Sequence, residues 1–225
     1  MRHRSLGGFV ALLLPAAYCG VMRLEMVTVG IFIFPDVEVL DFAGPYEVFT
    51  TASRVFKRTN SSQPEPFKVF TVAHRTGTVK ARAGLIVQPD YCFSNHPAIE
   101  LLLIPGGVVT EELNTAATTE WIANTSATAK ITASVCTGSF LLAQAGLLGD
   151  RTVTTHWEDI PEMQAMFPAV ATVGHRRWVD EGSIVTSAGI SAGIDMSLHL
   201  VERLAGQALA SQTAHQMDFD WHKDA

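Results

Sequence analysis

The stretch Val27-Thr28-Val29-Gly30-Ile31-Phe32-Ile33-Phe34 constrains this chain more than any other part of it. Apart from Thr28 and Gly30 every residue is apolar, and polar and apolar positions do not alternate. A strand with one face in water alternates with a period of two, whereas a near-continuous apolar run belongs to a strand covered on both faces. Strands of that kind sit in parallel sheets, and parallel neighbours need crossover helices between them. Leu101-Leu102-Leu103-Ile104 repeats the pattern, closed by Pro105-Gly106-Gly107.

The rest of the chain reads as that alternation. The spacing predicts further strands over 67–73, 131–135 and 151–155, an extended or hairpin segment over 78–89 with Gly84 as its turn, and strand-like segments over 173–179 and 183–187. Asp180-Glu181-Gly182 is the turn between the last two. Helices are expected over about 46–57, 118–128, 140–145, 161–166, 194–204 and 207–217. Strand and helix in succession imply βαβ units, hence an α/β, doubly wound, mostly parallel sheet with helices on both faces. At 225 residues, 48% apolar and 17% charged, one such domain over 26–225 can bury its own core.

Residues 1–25 are a separate N-terminal extension. Arg2 and Arg4 precede an apolar run too short to span a bilayer, which fits the start of a secretory signal, though Tyr18-Cys19-Gly20 gives no clean cleavage pattern. An overextended start, with Met22 or Met26 as the true first residue, accounts for it equally well. Cytoplasmic localisation is the expectation, with export left open. The net charge of −6 points away from nucleic acid and anionic membrane as partners. Three scattered cysteines without a Cys-x-x-Cys pair suggest neither a disulfide framework nor a metal site.

One turn carries chemistry. Ile131 to Val135 is β-compatible, Phe140 to Ala145 is helix-forming, and Cys136-Thr137-Gly138-Ser139 must turn sharply between them. A cysteine there occupies a nucleophile elbow, where the helix N–H groups and dipole are expected to favour the thiolate. The plainer alternative is a buried cysteine serving as a small hydrophobe. Asp41, Gly106-Gly107, His156 and the Gly189–Gly193 loop also fall at carboxyl ends of strands, where such sheets bind ligands. Each has a plainer reading: Asp41 as a helix cap, the glycines as turn residues, His156 as a structural hydrogen-bonding group. Gly189-x-x-x-Gly193 is a weak match to a phosphate-binding loop. Thr137 could cap the helix or hydrogen-bond a ligand.

These residues also form a recognisable pattern. Phe34-Pro35 with Leu40-Asp41 and Gly44-Pro45, then Ile104-Pro105-Gly106-Gly107, Val135-Cys136-Thr137-Gly138 and Thr154-Thr155-His156-Trp157, resemble the DJ-1/PfpI superfamily from about residue 27 to 206. Within it the chain is most similar to the isonitrile hydratase branch and to the amidotransferase-like domains of certain transcription regulators. The resemblance implies a flavodoxin-like, class I glutamine amidotransferase-like fold, a homodimer, and a small-molecule substrate. It implies Cys136 as nucleophile, Asp41 as its acid partner, and Thr137 beside them. It needs no metal or organic cofactor. Gly44, Gly106, Gly107, His156, Gly189 and Ser191 are the expected substrate-binding or oxyanion positions. Thr137 stands where protease-like members carry histidine, which argues against a Cys-His peptidase. A regulator would carry a helix-turn-helix module, which is not expected here. The implied reaction is hydration of an isonitrile to an N-substituted formamide. A glutathione-independent glyoxalase and a non-catalytic thiol sensor remain the alternatives.

Overall fold

The computed structural model describes residues 25–223. Except for Glu25, the N-terminal extension and Cys19 lie outside the described residues. In chain order the elements are β1 (Val27–Phe32), α1 (Val39–Thr59), β2 (Phe67–Ala73), the short hairpin β3 (Val79–Lys80) and β4 (Ile86–Val87), β5 (Tyr91–Cys92), β6 (Leu101–Ile104), α2 (Thr110–Leu113) and α3 (Ala116–Ser126). There follow β7 (Ile131–Val135), α4 (Gly138–Gln144), β8 (Thr152–Val153), α5 (Ile160–Met166), β9 (Ala171–Thr172), β10 (Trp178–Glu181), β11 (Ile184–Ser187), α6 (Ala192–Ala205) and α7 (Gln207–Gln216).

Seven strands form the central sheet in the order β10-β11-β7-β6-β1-β2-β5. Every neighbouring pair is parallel except β10 with β11. Helices α1, α6 and α7 pack together on one face, and α2, α3 and α4 on the other. This is the flavodoxin-like α/β arrangement. The two apolar runs behave as their composition requires: β1 lies between β2 and β6, and β6 lies between β1 and β7. Phe32, Phe34, Phe49 and Phe67 are fully buried in the core, each worth roughly 1.5–3 kcal/mol relative to exposure. Among the described residues no helix is long and apolar enough to cross a membrane.

Three boundaries depart from expectation in ways that shape the site. Helix α1 starts at Val39, well before Tyr46, so Asp41 lies in its first turn rather than in a loop. Pro45 is inside that helix, and its missing N–H leaves the Asp41 carbonyl without its usual partner one turn on. The expected strand over 151–155 shrinks to Thr152–Val153, which pairs with β9 outside the main sheet. Its last residues bond side chain to backbone instead: Thr154 N–H donates to Thr186 Oγ1, and Thr155 Oγ1 donates to the Cys136 carbonyl. Of the strand-like stretch over 173–179 only Trp178 and Val179 are strand, in β10; residues 173–177 form the connection from β9, with His175 at φ 60°.

Candidate active site

The elbow follows from register. In the sheet Ile104 pairs with Ser134 and Ser187 pairs with Val135, so Cys136 is the first residue past the hydrogen-bonded end of β7. Its N–H still reaches the ends of the neighbouring strand, 3.2 Å from Ser187 O and 3.3 Å from Ala188 O. Its φ is +56°, a left-handed value that costs a non-glycine residue on the order of 1 kcal/mol or more. The surroundings enforce it. The Cys136 carbonyl accepts from Thr155 Oγ1 at 3.0 Å and from Ser139 Oγ at 3.1 Å. Gly138 is required by close approach: a Cβ there would lie 2.1 Å from the Ile104 carbonyl oxygen. The chain can enter α4 immediately after the cysteine only because that atom is absent.

Asp41 reaches the elbow from the first turn of α1. It is completely buried, and its Oδ2 accepts from Gly106 N–H at 3.1 Å. Oδ1 has no partner of good hydrogen-bond geometry, and the Cys136 thiol is the side-chain donor that approaches this carboxyl. Burial raises the Asp41 pKa to about 7, with nearby Glu38 adding to the rise, while Gly106 N–H, the Cys136 thiol and Arg82 pull it down. Cys136 is 7% exposed, and burial together with the Asp41 charge pushes its thiol up to about 12. The expected preference for thiolate is therefore reversed. Helix α4 has only seven residues, and its dipole is outweighed by burial and a facing carboxylate. At neutral pH the thiol keeps its proton, and the Asp41 carboxyl beside it is poised to gain or lose one.

Two backbone N–H groups face the sulfur, those of Thr137 and Ile190, and both favour its negative form. Ile190 is a donor that the sequence does not announce. It sits in the turn between β11 and α6 at φ 47°, one of six non-glycine residues with positive φ among the described residues. Gly106 and Gly107 are not free donors. Gly106 N–H serves Asp41, and Gly107 N–H donates to Thr137 Oγ1 at 2.9 Å while that hydroxyl donates back to the Gly107 carbonyl at 2.9 Å. The Thr137 side chain thus clamps the Gly107 turn rather than capping α4. At φ +135°, with Asp36 O 2.4 Å from where a Cβ would stand, position 107 admits only glycine.

A cavity of about 210 Å³ opens above the thiol, lined by Cys136, Thr137, Gly107 and His156 together with Arg82 and acidic and apolar side chains. His156 lies flat against Gly189, where a Cβ would fall 2.1 Å from its Cδ2. Its Nδ1 accepts from Glu158 N–H at 3.4 Å. Among the described residues no hydrogen bond joins His156 to Cys136. The remaining expected positions are placed differently. Gly44 packs against Ile194 of α6 and does not line the cavity. Gly189 seats the imidazole, and Ser191 Oγ accepts from Arg177 Nη2 at 3.3 Å. Gly193 lies inside α6, close against Val135, which removes the phosphate-loop reading. Thr155 was legible as a hydroxyl beside His156, and its role in holding the elbow carbonyl becomes visible only in three dimensions.

Known proteins place the chain in a family and share its fold. The model of the DJ-1/PfpI family matches residues 27–203. The isonitrile hydratase of Pseudomonas putida is 31% identical over 193 residues, covering 85% of this chain and 78% of the hydratase. The HTH-type transcriptional regulator GbdR of Pseudomonas aeruginosa is 28% identical over 193 residues, 86% of this chain but 51% of the regulator, so the chain spans about half of that relative. The crystal structure of a ThiJ/PfpI family protein from Pseudomonas syringae superimposes with a TM-score of 0.77 at 27% identity, over 97% of this chain and 85% of that one. The elbow cysteine, its buried acid partner and the flavodoxin-like sheet are carried by a chain that belongs to the DJ-1/PfpI family.

Proposed function

We propose that this chain is a cysteine-dependent hydratase, a lyase that adds water to an isonitrile and releases an N-substituted formamide. The observation that carries the reading is the Asp41–Cys136 pair, a buried thiol and a buried carboxyl whose pKa of about 7 suits proton transfer at neutral pH. The similarity to an isonitrile hydratase supports the choice of substrate class.

The chemistry follows from the parts. The Cys136 sulfur attacks the terminal carbon of the isonitrile as its proton passes to the Asp41 carboxylate. Asp41 returns that proton to the same carbon, leaving a thioimidate on Cys136 and a carboxylate at Asp41. Water then adds to the thioimidate carbon, with Asp41 taking a proton from it and passing one to nitrogen. The carbon–sulfur bond breaks, the hydroxyl proton returns to sulfur by way of Asp41, and the formamide leaves. Thr137 and Ile190 N–H groups hold the charge that grows on sulfur during attack and expulsion. The acting unit we propose is a cytoplasmic homodimer, and a monomer by sedimentation velocity would contradict the dimer.

The test offers purified protein an aryl isonitrile and, separately, methylglyoxal. Formamide formed by wild type and lost in both Cys136→Ala and Asp41→Asn supports the hydratase. Lactate from methylglyoxal without formamide would instead favour a glyoxalase, and turnover of neither a thiol sensor. His156 makes no hydrogen bond to Cys136, so the base that a glyoxalase would want beside the thiol lacks a direct link to it.

A further inference from the structure

The cavity above Cys136 is unevenly charged. Glu38, Glu158 and Asp159 line it, against Arg82 and His156. Arg82 is already paired, its Nη1 3.1 Å from Glu38 Oε2, so those two charges cancel. His156 Nδ1 lies 3.4 Å from Asp159 Oδ2 and 3.8 Å from Glu158 Oε2. Even a protonated imidazole offsets only one of these two carboxylates, and Asp41 stands beneath the thiol as a further acid. Glu158 has a side chain 63% exposed and is well screened by water, whereas Asp159 is 30% exposed and acts more strongly. Asp41 and Asp159 both oppose negative charge on the Cys136 sulfur.

We infer that this cavity is a charge filter, which brings neutral or cationic molecules to Cys136 and turns anionic ones away, with Asp159 its main determinant and Glu158 a lesser one. The inference rests on Cys136 as the reacting group of the proposed function. It narrows the substrate class to isonitriles whose substituent is neutral or carries an ammonium group. Those bearing a carboxylate or sulfonate near the reacting carbon are poor substrates. Attraction of a cation and repulsion of an anion, at the range of one uncompensated carboxylate, together amount to a preference of roughly tenfold or more.

The filter can be measured without any substrate. Three methanethiosulfonates share one reacting group and differ in charge: 2-aminoethyl (cationic), methyl (neutral) and 2-sulfonatoethyl (anionic). In each case the Cys136 sulfur forms a disulfide bond, the reagent's sulfur–sulfonyl bond breaks, methanesulfinate leaves with the electron pair, and the thiol proton passes to buffer. Rates are read by mass spectrometry on the peptide containing Cys136, apart from Cys92, and divided by rates on N-acetylcysteine amide. The expected cation-to-anion ratio is at least about tenfold at low salt. It falls as salt is raised, and drops to within about threefold in the double variant Asp159→Asn, Glu158→Gln. A wild-type ratio near one, or a ratio indifferent to both salt and the double variant, would overturn the filter while leaving Cys136 as the reacting group. Should the double variant not fold, the salt dependence of wild type decides alone. Failure of every reagent to modify Cys136 would overturn the accessible thiol and the filter with it.

Discussion

At the scale of single residues, the site is a compromise between burial and charge. Asp41 has no exposed surface and one carboxyl oxygen without a well-placed donor, and its pKa rises from 3.8 to about 7. Between those two values the folded protein holds a proton that the unfolded chain has lost. Stability therefore falls as pH rises through that window and levels off above about 7, by up to roughly 4 kcal/mol. Asn at this position keeps an acceptor for Gly106 N–H without the charge. We expect Asp41→Asn to melt several degrees above wild type at pH 8 and close to it near pH 4. Thermal melts across that range check it, and a gap independent of pH would contradict the buried-carboxylate account. The same substitution should lower formamide formation by about 10²–10⁴-fold, as loss of a general acid–base does. Stability gained where activity is lost would mark Asp41 as a group retained for chemistry.

At the scale of elements, the strand–turn–helix at Cys136 was legible because each part has its own residue signature. Buried β7 residues, four small residues and a helix-forming run can hardly be arranged otherwise. Other features lacked such a signature. Pro45 suggested a helix start because proline favours first turns, yet α1 begins before it with no side-chain cap at Glu38. The Ile190 N–H is a backbone donor, and its use depends on the turn between β11 and α6 rather than on residue type. The thiolate expectation failed because a dipole argument sees the helix alone, whereas burial and Asp41 arrive from elsewhere in the fold. The glycines divide in the same way: 106 and 107 were legible as a turn, but not that their amides are already engaged. Gly138 provides the sharpest element-level prediction. Gly138→Ala places a methyl against the Ile104 carbonyl and should cost about 3 kcal/mol or more. Chemical denaturation measures it, and a loss below about 0.5 kcal/mol would contradict the close approach of α4 to β6.

At the scale of the whole molecule, the turn facing Cys136 is tied to the far end of the chain. Asp195 in the first turn of α6 is fully buried and carries Arg177 on Oδ2 and His222 N–H on Oδ1, the latter at 2.8 Å. Arg177 also reaches Ser191, beside the Ile190 donor. One ion pair thus joins the segment entering β10, the turn that faces Cys136 and the C-terminal residues after α7. Arg177→Met should leave the Asp195 carboxylate buried with too few partners, at a cost of about 3–5 kcal/mol. Arg177→Met, Asp195→Leu removes both charges and should recover much of that loss. Equal destabilisation in the single and double variants would show that the pair does not act as a unit.

The central claim is that Cys136 becomes covalently bonded to the substrate carbon while Asp41 moves the proton. Rapid quenching of wild-type protein with an aryl isonitrile, followed by mass spectrometry of the peptide containing Cys136, tests it directly. The predicted result is a transient adduct heavier by the whole isonitrile, since addition loses no atoms, decaying as the formamide appears. Formamide produced with no such adduct, at a rate unchanged in Cys136→Ala, would contradict it.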